Sequence, residues 1–145
     1  MTQHEINKQR IRDLLAAVDA GDLEAALTFY SPDYYDHDAS EARAGVGAHA
    51  AGMRHAFAAF YAAFTGTRHS IEDLVAEGDR VVARISVEAR HTGEIMGIPA
   101  TGRIIRNESI VIYRFEDGRI IERWCRERHS TCALLEAAAG ATASQ

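Results

Sequence analysis

The chain has 145 residues, a mass of 15.9 kDa and a formal net charge of −5, values that fit one compact domain. Hydrophobic residues make up 47% and charged residues 26% of the sequence, which excludes disordered, collagen-like and coiled-coil classes. No run of Lys or Arg marks a surface for a phosphate backbone or an anionic membrane, so neither nucleic acid nor a membrane is expected as a partner.

The chain start and the cysteines favour a cytoplasmic location. No apolar run reaches the roughly 18 residues that a membrane-spanning helix requires, and the first residues lack the features of a secretory signal. Cys125 and Cys132 are therefore expected to be reduced. Because the cysteines form no Cys-x-x-Cys pair and the histidines no His-Glu-x-x-His motif, no metal is expected.

The first part of the chain predicts three helices. Apolar residues at helical spacing predict an amphipathic helix that ends at Gly21: Ile11, Leu14, Leu15 and Val18. Asp22 is expected to cap a second, short helix that closes with Phe29-Tyr30. A third helix, over 48–64, carries a broad aromatic face: Met53, Phe57, Phe60, Tyr61 and Phe64.

The rest of the chain predicts a sheet. The segment 34–38 is expected to form a loop or an edge strand before a turn at Gly45-Val46-Gly47. Four strands of an antiparallel meander follow, with Asp117-Gly118 as a tight turn between the last two: 70–76, 80–91, 103–115 and 119–129. A helical turn at 134–136 and a frayed tail at 141–145 complete a single domain over 1–140.

Helices followed by strands predict an α+β fold, a cone-shaped curved antiparallel sheet with three N-terminal helices packed on its concave face. An apolar pocket between the helices and the sheet would bind a small molecule. In the strand that begins at Arg80, apolar residues alternate with polar ones, and His91 continues the apolar row. His91 is therefore a candidate acid, base or hydrogen-bond donor, or else a histidine whose bonds are satisfied at the rim of the sheet.

The hairpin register predicts a polar face on the last two strands. If Asp117-Gly118 is a two-residue turn, eight residues share one face: Arg106, Glu108, Ile110, Ile112, Arg123, Cys125, Glu127 and His129. Glu108 and Glu127 would then oppose each other, which would raise the pKa of one carboxyl toward neutrality if both are desolvated. The alternatives are a solvated outer face with Arg–Glu pairs, or a β-bulge that shifts the register by one residue.

Two further sets of side chains lie outside this predicted face. The opposite face of the hairpin would carry Val111, Tyr113, Phe115 and Trp124, as packed residues or as an assembly surface. The segment 34–38 collects phenol, carboxylate and imidazole groups where the chain leaves a helix, so Tyr35 and His37 are candidates to orient a substrate. A polar surface loop is the alternative for that segment.

Several stretches of the sequence resemble the SnoaL-like polyketide cyclase family of the nuclear-transport-factor-2-like superfamily. They are the segments 71–84 and 113–124, the run His91-Thr92-Gly93-Glu94 with Gly97-Ile98-Pro99-Ala100-Thr101-Gly102, and the early segment 32–38. The resemblance implies the α+β cone and a homodimer or a higher homo-oligomer built on the sheet. It also implies acid/base chemistry without a cofactor on a polyketide-like or other hydrophobic oxygenated metabolite, as in an intramolecular aldol cyclisation.

The family commonly carries its catalytic Asp directly after a Trp, in the context Glu-His-Trp-Asp, and here that context reads Glu122-Arg123-Trp124-Cys125. The hypothesis is that a carboxylate from Glu108 or Glu127, with His91 as its partner, takes over the role of the acid at the position of Cys125. The residues expected to bind the substrate are Tyr35, His37, Arg106, Arg123, Trp124 and His129. The alternatives are a hydroxylase or an isomerase of the same family, a non-catalytic ligand-binding protein, or a protein that uses its sheet for assembly.

Overall fold

The computed structural model describes residues 1–39 and 48–143, so the predicted turn at Gly45-Val46-Gly47 lies outside the described residues. The helices are α1 (Gln3–Asp19), α2 (Leu23–Leu27), α3 (Ala50–Ala63) and α4 (Thr131–Ala143). The strands are β1 (Tyr30–Asp36), β2 (Phe64–Glu77), β3 (Arg80–His91), β4 (Ile104–Glu116) and β5 (Arg119–Glu127). The C-terminal helix α4 is longer than the single turn that the sequence predicts. None of the helices in the described ranges is long and apolar enough to cross a membrane.

The five strands form one curved sheet in the order β1-β5-β4-β3-β2. The strands β2 to β5 pair antiparallel with their neighbours, which confirms the predicted meander. The segment around Tyr34 is an edge strand, but β1 runs parallel to β5, so the prediction of an entirely antiparallel sheet is wrong at this edge. A parallel pair needs a long connection, and here that connection contains α3 and the meander itself.

The helices cover one face of this sheet, which we call the inner face. Helix α1 begins with a capping box in which Thr2 and Glu5 bond each other's backbone N–H groups. Its apolar stripe packs against inward side chains of the sheet, and the two together form the main core: Ile11, Leu14, Leu15, Val18, Val81, Ala83, Ile85, Val111, Tyr113, Phe115 and Ile120. The predicted inward row of β3 is therefore confirmed, including His91 at its end, which is buried.

A β-bulge in β5 decides which side chains reach the inner face. Phe115 pairs with Ile120 as predicted, but Arg114 pairs with Glu122, so Ile121 has no partner in β4. Because side chains alternate along a strand, this one extra residue reverses the face of everything that follows it.

The predicted shared face of eight residues is therefore wrong. Arg123, Cys125 and Glu127 are paired with Tyr113, Val111 and Ser109, on the inner face. The β4 residues of the predicted set lie on the opposite, outer face: Arg106, Glu108, Ile110 and Ile112. Trp124 pairs with Ile112 and also lies on the outer face, not with Val111 and Tyr113 as predicted.

A second, smaller apolar cluster closes the far end of the inner face, where β3 ends. Leu135 of α4 packs there with Ala63, Phe64 and Ala89. The loop that follows β3 lies against the end of α3, and a Cβ at Gly93 would stand 2.0 Å from the backbone oxygen of Ala62. Only glycine fits this approach.

Candidate functional site

A buried ion pair lies on the inner face where β1 meets β5. Asp36 is the Cα partner of Arg123, and Arg123 Nη1 donates to Asp36 Oδ2 at 3.1 Å. Asp36 is only 3% exposed. Its other carboxylate oxygen accepts the backbone N–H of Asp38, which closes the turn after β1 and fixes the carboxylate.

The guanidinium of Arg123 also bonds the phenol of Tyr113, which is buried on the neighbouring strand. Burial raises the pKa of both Tyr113 and Tyr34, so both phenols stay protonated. Burial alone would lower the pKa of Arg123, but the surrounding phenols, the thiol of Cys125 and Asp36 raise it well above its ordinary value. The guanidinium is therefore a fixed positive charge on the inner face.

Cys125 is the next inward residue of β5 after Arg123. Burial raises the pKa of its thiol; Arg123 acts in the opposite direction, and Glu127 and Asp36 add to the rise. A thiol with a raised pKa is protonated at neutral pH, so Cys125 carries no negative charge there. We call Asp36, Tyr113, Arg123 and Cys125 the arginine cluster.

A polar row continues from the arginine cluster along the inner face. Glu127 pairs with Ser109, and Glu127 is exposed whereas Ser109 is half-buried. One pair further along, Asn107 donates to the backbone oxygen of His129 at 2.7 Å and accepts its backbone N–H. His129 itself follows β5 and is exposed. Glu127 is thus the predicted carboxylate that shares the inner face with Arg123 and Cys125.

His91 lies at the far end of the inner face and does not meet Glu127. Glu127 pairs with Ser109 of β4, and Ser109 pairs with Ile85 of β3. His91 is six residues beyond Ile85 along β3. At about 3.3 Å per residue this is a separation on the order of 20 Å along the strand, before the curvature of the sheet is considered. The predicted pairing of His91 with a carboxylate on the hairpin is therefore wrong.

The predicted residues on β4 face outward and form surface ion pairs. Arg106 Nε donates to Glu88 Oε2 at 2.9 Å, and Arg128 Nη1 donates to Glu108 Oε2 at 3.0 Å. These side chains line an open groove of about 350 Å³ on the outer face. Glu108 and Glu127 lie on opposite faces, so the predicted contact between the two carboxylates is wrong.

Tyr35, His37 and Trp124 form an aromatic cluster on the outer side of the sheet. The rings of His37 and Trp124 stack at 4.5 Å, and Tyr35 meets His37 edge-on at 4.9 Å. His37 Nε2 lies 2.7 Å from Glu122, and this bond, followed by those from Arg114, lowers the pKa of Glu122. Tyr35 and His37, the candidates to orient a substrate, therefore lie on the outer side of the sheet and not in the pocket between the helices and the sheet. The bulge in β5 places Trp124 beside them.

Sequence reasoning missed Asp36 and Tyr113 as members of the site. Both were visible in the sequence, Asp36 within the segment 34–38 and Tyr113 in an alternating strand. The buried position of Tyr34 and the period of two place Asp36 inward, but only the pairing of β1 with β5 brings it to Arg123. Within the described part of the chain, no three His, Cys, Asp or Glu side chains lie close enough together to hold a metal ion.

Helices that cover one face of a curved, unclosed sheet, with a polar cluster on that face, define a protein of the nuclear-transport-factor-2-like fold. The profile of the SnoaL-like polyketide cyclase family matches residues 8–128, and the chain belongs to this family. Comparison with curated proteins gives no match.

Solved structures support the same assignment. TsrD from Streptomyces laurentii is 28% identical, with 97% of this chain and 99% of that chain covered and a TM-score of 0.79. IdmH from Streptomyces antibioticus, a candidate polyketide cyclase, is 28% identical with coverage of 96% and 99% and a TM-score of 0.73. AclR from Streptomyces galilaeus, a candidate hydroxylase, is 28% identical with coverage of 93% and 96% and a TM-score of 0.73.

Proposed function

We propose that this protein is an enzyme that transfers protons on a polyketide-like or other hydrophobic oxygenated molecule without a cofactor, and that it closes a ring in that molecule. The observation that carries the proposal is the arginine cluster, which places the positive charge of Arg123 on the helix-covered face of the sheet, with Glu127 four residues further along the same strand. Family membership supports the substrate class, since relatives of this fold are named as polyketide cyclases.

Arg123 is suited to stabilise negative charge that develops on a substrate oxygen. Its guanidinium offers five N–H donors, of which Asp36 and Tyr113 use only some. A positive charge that is already oriented stabilises an enolate more effectively than water does, because nothing has to reorganise during the reaction. In this account Asp36 and Tyr113 hold Arg123 in place, and Asp36 balances its charge.

Glu127 is the residue suited to move the proton. Both carboxylate oxygens of Asp36 are already bonded, to Arg123 and to the backbone N–H of Asp38, and the thiol of Cys125 is protonated. Glu127 would take a proton from the carbon next to a substrate carbonyl while Arg123 holds the enolate oxygen. The enolate carbon would then attack a second carbonyl of the same molecule, and the resulting alkoxide would receive the proton back from Glu127.

Exchange of carbon-bound hydrogen for deuterium tests this proposal without the natural substrate. The probes are aryl ketones and aryl β-keto esters in D₂O, followed by proton NMR with the wild type, Glu127→Gln and the outer-face control Glu108→Gln. General acid/base groups contribute about 10²- to 10⁴-fold, so Glu127→Gln is expected to lose at least about 100-fold in rate. Glu108→Gln is expected to stay within about twofold. Equal rates in Glu127→Gln and the wild type would contradict the assignment.

Two other functions are kept as alternatives, each with an observation in its favour. A non-catalytic ligand-binding protein is favoured by Cys125 at the position of the family's acid, and it predicts tight binding with the probes recovered unexchanged. A hydroxylase is favoured by the likeness to AclR, and it predicts an oxygenated product by mass spectrometry.

We also propose that the protein acts in the cytoplasm as a homodimer or a higher homo-oligomer. The outer face supports assembly with exposed apolar side chains, Ile104 and Ile110 on β4 and Val75 on β2. Sedimentation of the wild type measures the state of association directly.

A further inference from the structure

His91 carries a buried hydrogen-bond donor that nothing in the described residues accepts. The side chain is 0% exposed. The backbone N–H of Thr101 donates to Nδ1 at 3.3 Å, and the Thr101 hydroxyl lies 3.1 Å from the same atom. Because Nδ1 accepts, the ring proton of the neutral imidazole is on Nε2. Among the described residues Nε2 has no hydrogen-bond partner.

The surroundings of this donor are apolar. The Phe64 ring lies 5.6 Å from the imidazole, and Phe64 belongs to the cluster of Ala63, Ala89 and Leu135. We call this cluster, together with His91, the distal compartment. A buried donor without an acceptor is unfavourable in such surroundings, and native proteins nearly always satisfy it. The distal compartment therefore lacks one acceptor atom.

The loop after β3 forms a cover over the distal compartment. Residues 93–102, which we call the flap, contain a tight turn at Met96-Gly97 in which both residues have positive φ. The turn pairs Ile95 with Ile98 in an antiparallel β-bridge. Both isoleucines pack against the apolar side chains of the distal compartment. The flap begins at Gly93, against Ala62, and ends at Gly102, whose N–H bonds the backbone oxygen of His91. Both ends of the flap are held by backbone bonds, Gly93 to Ala63 and Gly102 to His91, so only its tip, residues 94–100, would move while Thr101 stays bonded to His91.

We propose that the distal compartment is a second binding subsite, which takes an apolar ring that carries a carbonyl oxygen, and that the carbonyl accepts the Nε2–H of His91. The tip of the flap would open to admit the ring and close over it. This inference rests on the proposed function and deepens it. The distal compartment lies on the same inner face as Glu127, at the opposite end. It assigns the substrate as an elongated molecule with one carbonyl near Arg123 and another at its far end.

Matched ligands that differ in one carbonyl group test the subsite. The probes are 1-tetralone and tetralin, titrated by NMR into ¹⁵N-labelled wild type, His91→Leu, His91→Gln and His55→Gln, the last being a surface control on α3. We expect the wild type to prefer the ketone by about tenfold or more, with a shift of the Nε2–H resonance. His91→Leu should bind both probes equally, His91→Gln should keep part of the preference, and His55→Gln should match the wild type.

Two results would overturn the proposal. One is an equal preference for the ketone in the wild type and His91→Leu. The other is an Nε2–H resonance that does not shift when the ketone is added and that cross-relaxes with a bound water. That result would show that an ordinary buried water is the acceptor. If His91→Leu does not fold, the shift of the wild-type Nε2–H resonance and the ketone preference of His91→Gln still test whether His91 binds the carbonyl. Binding by Glu127→Gln separates the two proposals, because loss of proton transfer there leaves ketone binding at His91 unchanged.

Discussion

The two faces of the sheet carry charge in different ways. On the outer face, Arg84 with Asp73 and Arg128 with Glu108 form ion pairs in which every side chain is at least 46% exposed. On the inner face, the side chain of Asp36 is 2% exposed, and the side chain of its partner Arg123 is 23% exposed. Exposed pairs are weakened by water and salt, whereas a buried charge depends on its partner. Burial therefore distinguishes the pair of Asp36 and Arg123 from these two outer-face pairs.

Breaking one ion pair on each face should give the largest difference in protein stability between the two faces. Arg123→Met removes the positive charge beside the buried carboxylate of Asp36, and the expected loss in the free energy of unfolding is about 3–5 kcal/mol. Arg128→Met on the outer face is expected to cost at most about 1 kcal/mol. Urea denaturation of both variants at pH 7 measures the two losses.

The double variant Asp36→Asn with Arg123→Met provides the control for that comparison. Removing both charges should restore part of the stability that Arg123→Met alone loses, because the negative charge of Asp36 is removed together with its positive partner. Losses of the same size for Arg123→Met and Arg128→Met would show that the inner pair is solvated like the outer one.

The thiol on the inner face offers a sharper probe of burial. Burial raises the pKa of Cys125, so at pH 7.5 less thiolate is present than in the unfolded chain, and reaction with a disulfide reagent should be about tenfold slower or more. The folded state keeps its proton more tightly, so this contribution to stability is present below the pKa of the unfolded thiol and is lost as the pH rises through the folded value. The measurement uses Cys132→Ser, so that only Cys125 reacts. A rate equal to that of the unfolded chain would contradict the burial.

The stability contributed by the outer-face carboxylate of Glu122 should depend weakly on pH. The bond from His37, followed by those from Arg114, lowers the pKa of Glu122, so its contribution is present above the unfolded pKa and is lost as the pH falls through the folded value. Glu122→Gln should therefore remove about 0.5–1 kcal/mol at pH 7 and almost nothing at pH 3. Thermal unfolding across pH 3–7 measures this, and an equal loss at both ends of that range would contradict it.

The smallest expected effect on folding comes from an exposed apolar residue of the outer face. Ile110 is 51% exposed, so Ile110→Lys should change the stability of the monomer by at most about 0.5 kcal/mol. If the outer face joins two copies, the same change should lower the state of association seen by sedimentation. An unchanged oligomer in Ile110→Lys would place the assembly surface elsewhere.

The sequence predicted those features of the fold that follow from local periodicity. The stripe from Ile11 to Val18 predicted α1, and the alternation from Val81 placed His91 inward at the end of β3. The pairing of Phe115 with Ile120 followed from the turn at Asp117-Gly118. In each case neighbouring residues alone decide the outcome.

Two non-local features limited the prediction of the site. The bulge at Ile121 adds one residue to β5, and no residue type in that strand marks it, yet it reverses the faces of Arg123, Trp124 and Cys125. The parallel pairing of β1 with β5 joins Asp36 to Arg123 across 87 positions of the chain, which no local pattern encodes. The sequence therefore named Arg123, Cys125 and Glu127, which share the inner face, but grouped them with β4 residues that face outward.

A crystal structure with a bound aryl β-keto ester tests the central claim, that the inner face is the working face, most directly. We predict the ligand on the inner face, with one of its oxygens about 3 Å from the guanidinium of Arg123 and its acidic carbon facing Glu127. A ligand seated in the outer groove beside Arg106 and Glu108, with the inner face empty, would contradict the account.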